Sequence, residues 1–201
     1  RANSITLDPH KSLFIPYGTG ALLVRDGEKL RAAHQGAGER YSPRQDDEAR
    51  IDFCEHSPEL SRSCRGLRVW LPLKLHGRSA FEACLNEKLD LARWAVERLS
   101  GLRDIEVPFL PSLTVVVFRW APPNVSDLDA LNRKVLALIN ERGRVHLMGI
   151  ALERGFYLRM CILSYRTDRM AVDQAVREVE ASIEQVQFDR PLEVSEKRLE
   201  A

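Results

Sequence analysis

The chain has 201 residues, 44% of them hydrophobic, and 30 Lys and Arg stand against 29 Asp and Glu for a formal net charge of +1. That length and apolar content supply a core for one or two globular domains and exclude disordered, collagen-like and mini-protein classes. The charge balance gives no whole-chain attraction to nucleic acid or an anionic membrane, and no apolar run approaches the roughly 18 to 20 residues of a bilayer span, so neither partner is expected.

In chain order, Ser4 to Asp8 and Gly20 to Arg25 are short β-type runs flanking Pro9-His10-Lys11, and Glu28 to Ala33 has the length of one or two helical turns. Gln35 to Pro58 is polar and rich in turn residues (Gly36, Gly38, Pro43, Asp46, Asp47), longer than a passive connection, which predicts a mobile, functional loop. Leu60 to Leu75 predicts a basic helix carrying Arg62, Arg65, Arg68 and Lys74, with Leu67, Trp70, Leu71 and Leu75 as its apolar side and a bend at Pro72. A domain boundary is expected near Gly77, giving domains 1–76 and 77–201.

Beyond it, Ser79-Ala80-Phe81-Glu82 is a capping box, and Phe81, Leu85, Leu89, Ala92, Val96 and Leu99 repeat at helical spacing up to Gly101. Ser126-Asp127-Leu128-Asp129 is a shorter-armed box ahead of Leu131, Val135, Leu138 and Ile139, with a stop at Gly143. A third helix starts near Asp168 with Val172, Ala175, Val176, Val179, Ile183 and Val186 as its stripe. Between these lie β-rich runs at Leu113 to Trp120, Leu147 to Leu152 and Phe156 to Leu163, the last two joined through Glu153-Arg154-Gly155 as a hairpin. Helix, strand, helix, hairpin, helix is the order of an α+β layer sandwich on an antiparallel sheet.

The cysteines at 54, 64, 84 and 161 form no CxxC pair, and the histidines form no HExxH, so zinc is not expected and a reducing, cytoplasmic compartment fits. Asn124-Val125-Ser126 is a formal glycosylation sequon, meaningful only in a secreted chain. Gly36-Ala37-Gly38 has Tyr41 where a dinucleotide fingerprint needs its third glycine, and no GKS or GKT exists, so both common phosphate loops fail. Asp8-Pro9-His10-Lys11 is more informative. A lysine placed directly after a strand and held by a proline is a rigidly presented amine able to form a Schiff base, provided burial or a nearby cation lowers its pKa. Taken by itself, such a lysine is most simply a solvated charge.

The segment Ser4-Ile5-Thr6-Leu7-Asp8-Pro9-His10-Lys11-Ser12-Leu13-Phe14 resembles the cofactor-lysine segment of the group II pyridoxal-phosphate-dependent amino-acid decarboxylases. Further blocks are similar to the same family in the same order: Pro16-Tyr17-Gly18-Thr19-Gly20-Ala21-Leu22-Leu23-Val24, Ser57-Pro58-Glu59-Leu60-Ser61-Arg62, Arg65-Gly66-Leu67-Arg68-Val69-Trp70, and Tyr157-Leu158-Arg159 with Ser164. The resemblance reaches to about Ile183. It implies an α/β enzyme of the aspartate-aminotransferase type (fold type I), with 1–76 ending the large, cofactor-binding domain and 77–201 forming a small α+β domain.

It also implies pyridoxal 5'-phosphate as cofactor, an amino-acid substrate, loss of its carboxylate as carbon dioxide, and a homodimer. Lys11 would form the internal aldimine, and His10 and Asp8 would line the cofactor phosphate and the active-site wall. Tyr41 falls close to a catalytic loop tyrosine, its alternative being an ordinary loop tyrosine; Ser61 matches a position that reaches the partner's cofactor, its alternative a helix N-cap. Arg62 and Arg65 would serve subunit contacts or a solvated helix face, and Tyr17 the substrate side chain or core packing.

Ser12 follows the lysine where many animal relatives carry Trp, and Ser63-Cys64 replaces a basic-aromatic pair, which weakens close substrate analogy with the animal enzymes. The family's ring-stacking His and the Asp that pairs with the pyridinium nitrogen are expected upstream of Arg1, so the chain is expected to be the C-terminal portion of an enzyme and inactive alone. If the loop residue is not a proton donor, oxygen interception would make an aldehyde synthase instead. A reading from another class, an RNA-binding module with Phe118, Phe156 and Tyr157 on a sheet platform, is opposed by the neutral charge and the absence of a basic aromatic strand signature.

Overall fold

The computed structural model describes residues 1–34 and 51–189, and the chain divides into two compact units between Phe81 and Glu82. In the first unit, β1 (Ser4–Leu7) and β2 (Ala21–Val24) pair antiparallel with Ser4 opposite Val24 and Leu7 opposite Ala21. Between them Pro9–Ser12 forms a single helical turn, α1, where the sequence pattern shows only a post-strand connection. Proline at its first position explains the turn: the fixed φ is already helical and the missing N–H is not needed there. The return to β2 passes through Phe14 (φ 56°) and Gly18 (φ 84°), left-handed positions of which only glycine takes its own without steric cost.

Helix α2 (Gly27–His34) follows, its Lys29 amide bonded to Asp26 Oδ1 at 3.3 Å. A 3-10 turn at Phe53–His56, capped by Asp52 Oδ1 on the Cys54 amide at 3.1 Å, is tied to α2 by the Arg31–Glu55 ion pair at 2.6 Å. Of the predicted 35–58 loop, 51–58 is therefore described and the remainder lies outside the described residues.

Helix α3 (Gly66–His76) starts six residues later than its predicted Leu60 and runs through Pro72 to Gly77, whose N–H returns to the Leu73 carbonyl at 3.0 Å. The late start has a local cause. Arg65 donates to both carboxylate oxygens of Glu59, at 2.8 and 3.0 Å, which holds 59–65 as a loop instead of a helical turn. Arg65 occupies the N-cap position with no side-chain cap bond, so Ser61 is not the helix cap, and Arg62 and Arg65 do not form a solvated helix face.

The second unit is built from α4 (Arg78–Ser100, whose first residues fall in the first unit), β3 (Ile105–Glu106), β4 (Val115–Trp120), α5 (Leu128–Glu141), β5 (Met148–Leu152), β6 (Gly155–Cys161) and α6 (Arg169–Phe188). The four strands form one antiparallel sheet in the order β3-β4-β6-β5, as the helix–strand alternation predicts. Val116, Phe118 and Trp120 of β4 and Leu158 and Met160 of β6 share one face. They pack with Leu91, Ala95 and Leu99 of α4, Val135 and Ile139 of α5, and Val172, Val176 and Val179 of α6.

The helix starts differ from the predicted boxes. Ser79 lies inside α4, because Gly77 (φ 76°) ends α3 and the chain re-enters a helix at the next residue. Asp127, not Ser126, caps α5 by accepting from the Ala130 amide at 2.8 Å, and Asp168 caps α6 through the Ala171 amide at 2.9 Å. Among the described residues no helix is long and apolar enough to cross a membrane, and no cluster of His, Cys, Asp and Glu is placed to hold a metal.

Candidate functional site

The chemistry-bearing residues lie in the turn between β1 and β2. Strand β1 ends at Leu7, Asp8 takes the N-cap position of α1, and Lys11 is the third residue of that helix. Lys11 N–H donates to the Asp8 carbonyl at 2.9 Å, while Lys11 Nζ donates to Asp8 Oδ2 at 2.7 Å. Both side chains remain open to solvent, at 58% and 50% exposure. The hydrogen bond and charge of Asp8 hold the Lys11 ammonium above its ordinary pKa, and Lys11 holds the Asp8 carboxyl below its own. This differs from the expectation for a nucleophilic amine. Among the described residues the turn sets a carboxylate against the lysine, and the pull of Asp8 outweighs the lowering that desolvation brings.

His10 points elsewhere. Its Nδ1 lies 2.7 Å from the Thr19 carbonyl; a carbonyl only accepts, so Nδ1 carries the proton and donates. The ring meets Tyr17 edge-on at 4.8 Å between centroids. Thr19 is buried, and its hydroxyl donates to the Pro16 carbonyl at 3.3 Å. Arg68 of α3 reaches the Tyr17 carbonyl at 3.4 Å. Tyr17 is 86% exposed among the described residues.

Ser61 is exposed in the loop ahead of α3, and among the described residues no hydrogen bond or ion pair links it to Asp8, His10 or Lys11. Its loop is held by Arg65 on Glu59, by Arg62 donating to Ser57 Oγ at 3.1 Å, and by the Arg62 guanidinium over the Phe53 ring at 5.9 Å. Tyr41 lies outside the described residues. Sequence reasoning missed Thr19 as the His10 acceptor and Glu59 as the Arg65 partner. Neither spacing is a regular helical or strand interval, so no periodic signal marks them.

An aldehyde-bearing, phosphorylated cofactor needs an accessible primary amine on a rigid support, and Lys11 meets that requirement with its solvent-open Nζ on a proline-started turn. The fold agrees with this class. The structure superposes on Oryza sativa TDC solved with PLP and tryptamine with a TM-score of 0.85 at 20% identity, covering 92% of this chain and 39% of that one. It also superposes on Rhodiola rosea 4-hydroxyphenylacetaldehyde synthase with a TM-score of 0.80 at 21% identity, covering 92% and 37%. These likenesses define a pyridoxal-phosphate enzyme fold of type I.

In sequence, the pyridoxal-dependent decarboxylase conserved domain matches residues 1–121, and the chain belongs to that family. It is 32% identical to an aromatic-L-amino-acid decarboxylase of Bacillus atrophaeus over 195 residues, 95% of this chain and 41% of that protein. It is also 28% identical to a histidine decarboxylase of Drosophila melanogaster over 167 residues, 83% of this chain and 19% of that protein. The chain thus spans well under half the length of these relatives.

Proposed function

We propose that the natural protein decarboxylates an L-amino acid to the corresponding amine and carbon dioxide, with pyridoxal 5'-phosphate held on Lys11, as a cytoplasmic homodimer. The observation that carries this reading is the Lys11 turn itself, a primary amine fixed by Pro9 and two bonds to Asp8 inside a segment that the family domain matches. When bound, the cofactor would supply an electron sink for the pair left on the substrate carbon that loses its carboxylate.

The chain's own residues have separable tasks. Lys11 supplies the amine that tethers the cofactor's aldehyde carbon. His10, its Nδ1 proton held by the Thr19 carbonyl, is assigned to the wall beside Lys11 as a fixed aromatic ring. Asp8, bonded to Lys11 Nζ, is assigned to the other side of that wall. Ser61 is assigned to the partner subunit's cofactor, a role that its exposure permits. Tyr41 is assigned as the loop residue that delivers the proton.

Borohydride reduction of the natural protein with pyridoxal phosphate, followed by peptide mapping, tests the tether: label on Lys11 is expected, and label on Lys29, Lys74 or Lys88 would overturn the assignment. Lys11→Ala should abolish carbon dioxide release from a panel of amino acids. Tyr41→Phe should lower amine formation and raise aldehyde and peroxide; an unchanged product ratio and rate would remove Tyr41 from the mechanism.

A further inference from the structure

The turn that carries Lys11 contains a feature that tethering alone does not require. Asp8 stands at the N-cap of α1, where an aspartate ordinarily accepts from the amides of the first turn, yet it makes no such side-chain bond. Its Oδ2 is turned onto Lys11 Nζ at 2.7 Å. The pair is set by the main chain: Pro9 fixes φ between the two residues, and the Lys11 amide is bonded to the Asp8 carbonyl at 2.9 Å. His10, lying between them in sequence, is drawn away by the Thr19 carbonyl and does not compete as a donor to the carboxylate.

We propose that Asp8 is a positioning residue for Lys11: while the lysine amine is free, the Asp8 carboxylate latches it as an ammonium, and opening that pair gates its condensation with an aldehyde. The proposal rests on the reading of Lys11 as the cofactor lysine. It gives Asp8 a task directed at the amine, distinct from contact with the cofactor's phosphate, for which an ionised carboxylate is a poor neighbour.

The chemistry follows from electron count. An ammonium has no lone pair, so Lys11 first loses a proton to solvent. The neutral nitrogen then attacks the aldehyde carbon to form a C–N bond, and the carbinolamine loses water as the proton returns. The net change converts an ammonium and an aldehyde into a protonated imine and one water. A carboxylate beside the nitrogen opposes the first deprotonation and, by the same charge, favours the cationic product nitrogen. Among the described residues, the groups that act on Lys11 are Asp8 on its own turn and Tyr17 from the segment leading to β2; those that act on Asp8 are Lys11 and His10. Asp8 is the principal one, and the raised Lys11 pKa agrees with the geometry.

Competitive acetylation with acetic anhydride across a pH series reads the proton affinity of Lys11 without any cofactor. In the natural protein, Asp8→Asn should move the Lys11 midpoint to lower pH and raise its neutral-pH reactivity about twofold to fivefold, the scale of a solvent-open ion pair. Asp8→Glu, which keeps the charge, should restore much of the natural profile. Raising salt to about 1 M, where screening acts within roughly 3 Å, should shift the unsubstituted protein in the same direction as Asp8→Asn and needs no variant to fold. A Lys11 midpoint that moves with neither salt nor Asp8→Asn overturns the latch. Borohydride mapping separates the two readings: Lys11 unlabelled by pyridoxal phosphate sinks the functional assignment, whereas Lys11 labelled with an unmoved acetylation midpoint sinks only the latch.

Discussion

Asn132 offers the sharpest test of how the small unit is held. Its side chain is fully buried in α5 and replaces a strand: Oδ1 accepts from the Trp120 amide at 2.8 Å, and Nδ2 donates to the Trp120 carbonyl at 2.8 Å and to the Leu128 carbonyl at 2.8 Å. The β4–β6 ladder runs only from Val115 to Phe118 on β4, so Trp120 lies beyond its end and the amide takes the place of a neighbouring peptide. Asn132→Ala leaves two main-chain groups of a buried residue without partners, at about 1–3 kcal/mol each, so a loss of roughly 2–6 kcal/mol is expected. Because the chain has two compact units, the assay should read the second one directly, by urea unfolding followed at the Trp120 amide by hydrogen exchange. Asn132→Asp gives an internal check: it keeps the acceptor for the Trp120 amide but sets a second oxygen against the Trp120 carbonyl, and it should recover partly in acid as the carboxyl gains a proton. An Asn132→Ala chain within about 0.5 kcal/mol of the original, the range of ordinary surface substitutions, would refute the reasoning.

Three further outcomes are expected. Gly149→Ala should destabilise by about 1–3 kcal/mol and lower the melting temperature, because its methyl runs into the Phe156 ring, which the Arg133 guanidinium covers at 4.1 Å; unchanged melting would mean that the ring moves freely. Lys88, buried on α4, donates to the Thr167 carbonyl at 2.5 Å and pairs with Glu87 at 2.9 Å, so Lys88→Met should speed amide exchange in 164–168 while α5 exchange stays unchanged. Burial of Tyr157 raises its phenol above the ordinary value, so the folded chain keeps that proton where the unfolded chain has lost it. Its contribution is whole below about pH 10 and is lost as pH rises toward the folded value, so Tyr157→Phe should flatten the alkaline limb of a stability–pH curve, and parallel limbs would count against the assignment.

How far the sequence discloses this arrangement depends on the range of the interaction. The β5–β6 hairpin and α6 are legible because alternation and helical spacing are local properties of consecutive residues. Strand β3, only Ile105 and Glu106, is too short to show any period. The α3 start is misread because apolar spacing says nothing of a carboxylate and a guanidinium closing a loop from Glu59 to Arg65. Lys11 is named from the ordered family blocks around it, and the structure places it on the turn between β1 and β2. Its pairing with Asp8 is not, since an i,i+3 contact exists only once Pro9 is known to start a helical turn. Tyr41, named from the same blocks, lies outside the described residues.

The acceptor that fixes the His10 proton is a main-chain carbonyl, that of Thr19, and a point substitution cannot delete it. Sequence drift can therefore exchange Tyr17 or the Thr19 hydroxyl and leave the same ring nitrogen protonated, so long as the connection keeps its path. That path turns through Gly18 at φ 84°. The inheritable determinant of the imidazole's tautomer is then a glycine with no chemistry of its own, eight positions from the ring it governs. Replacing Gly18 with any side chain should disturb the His10 proton more than replacing either residue beside it.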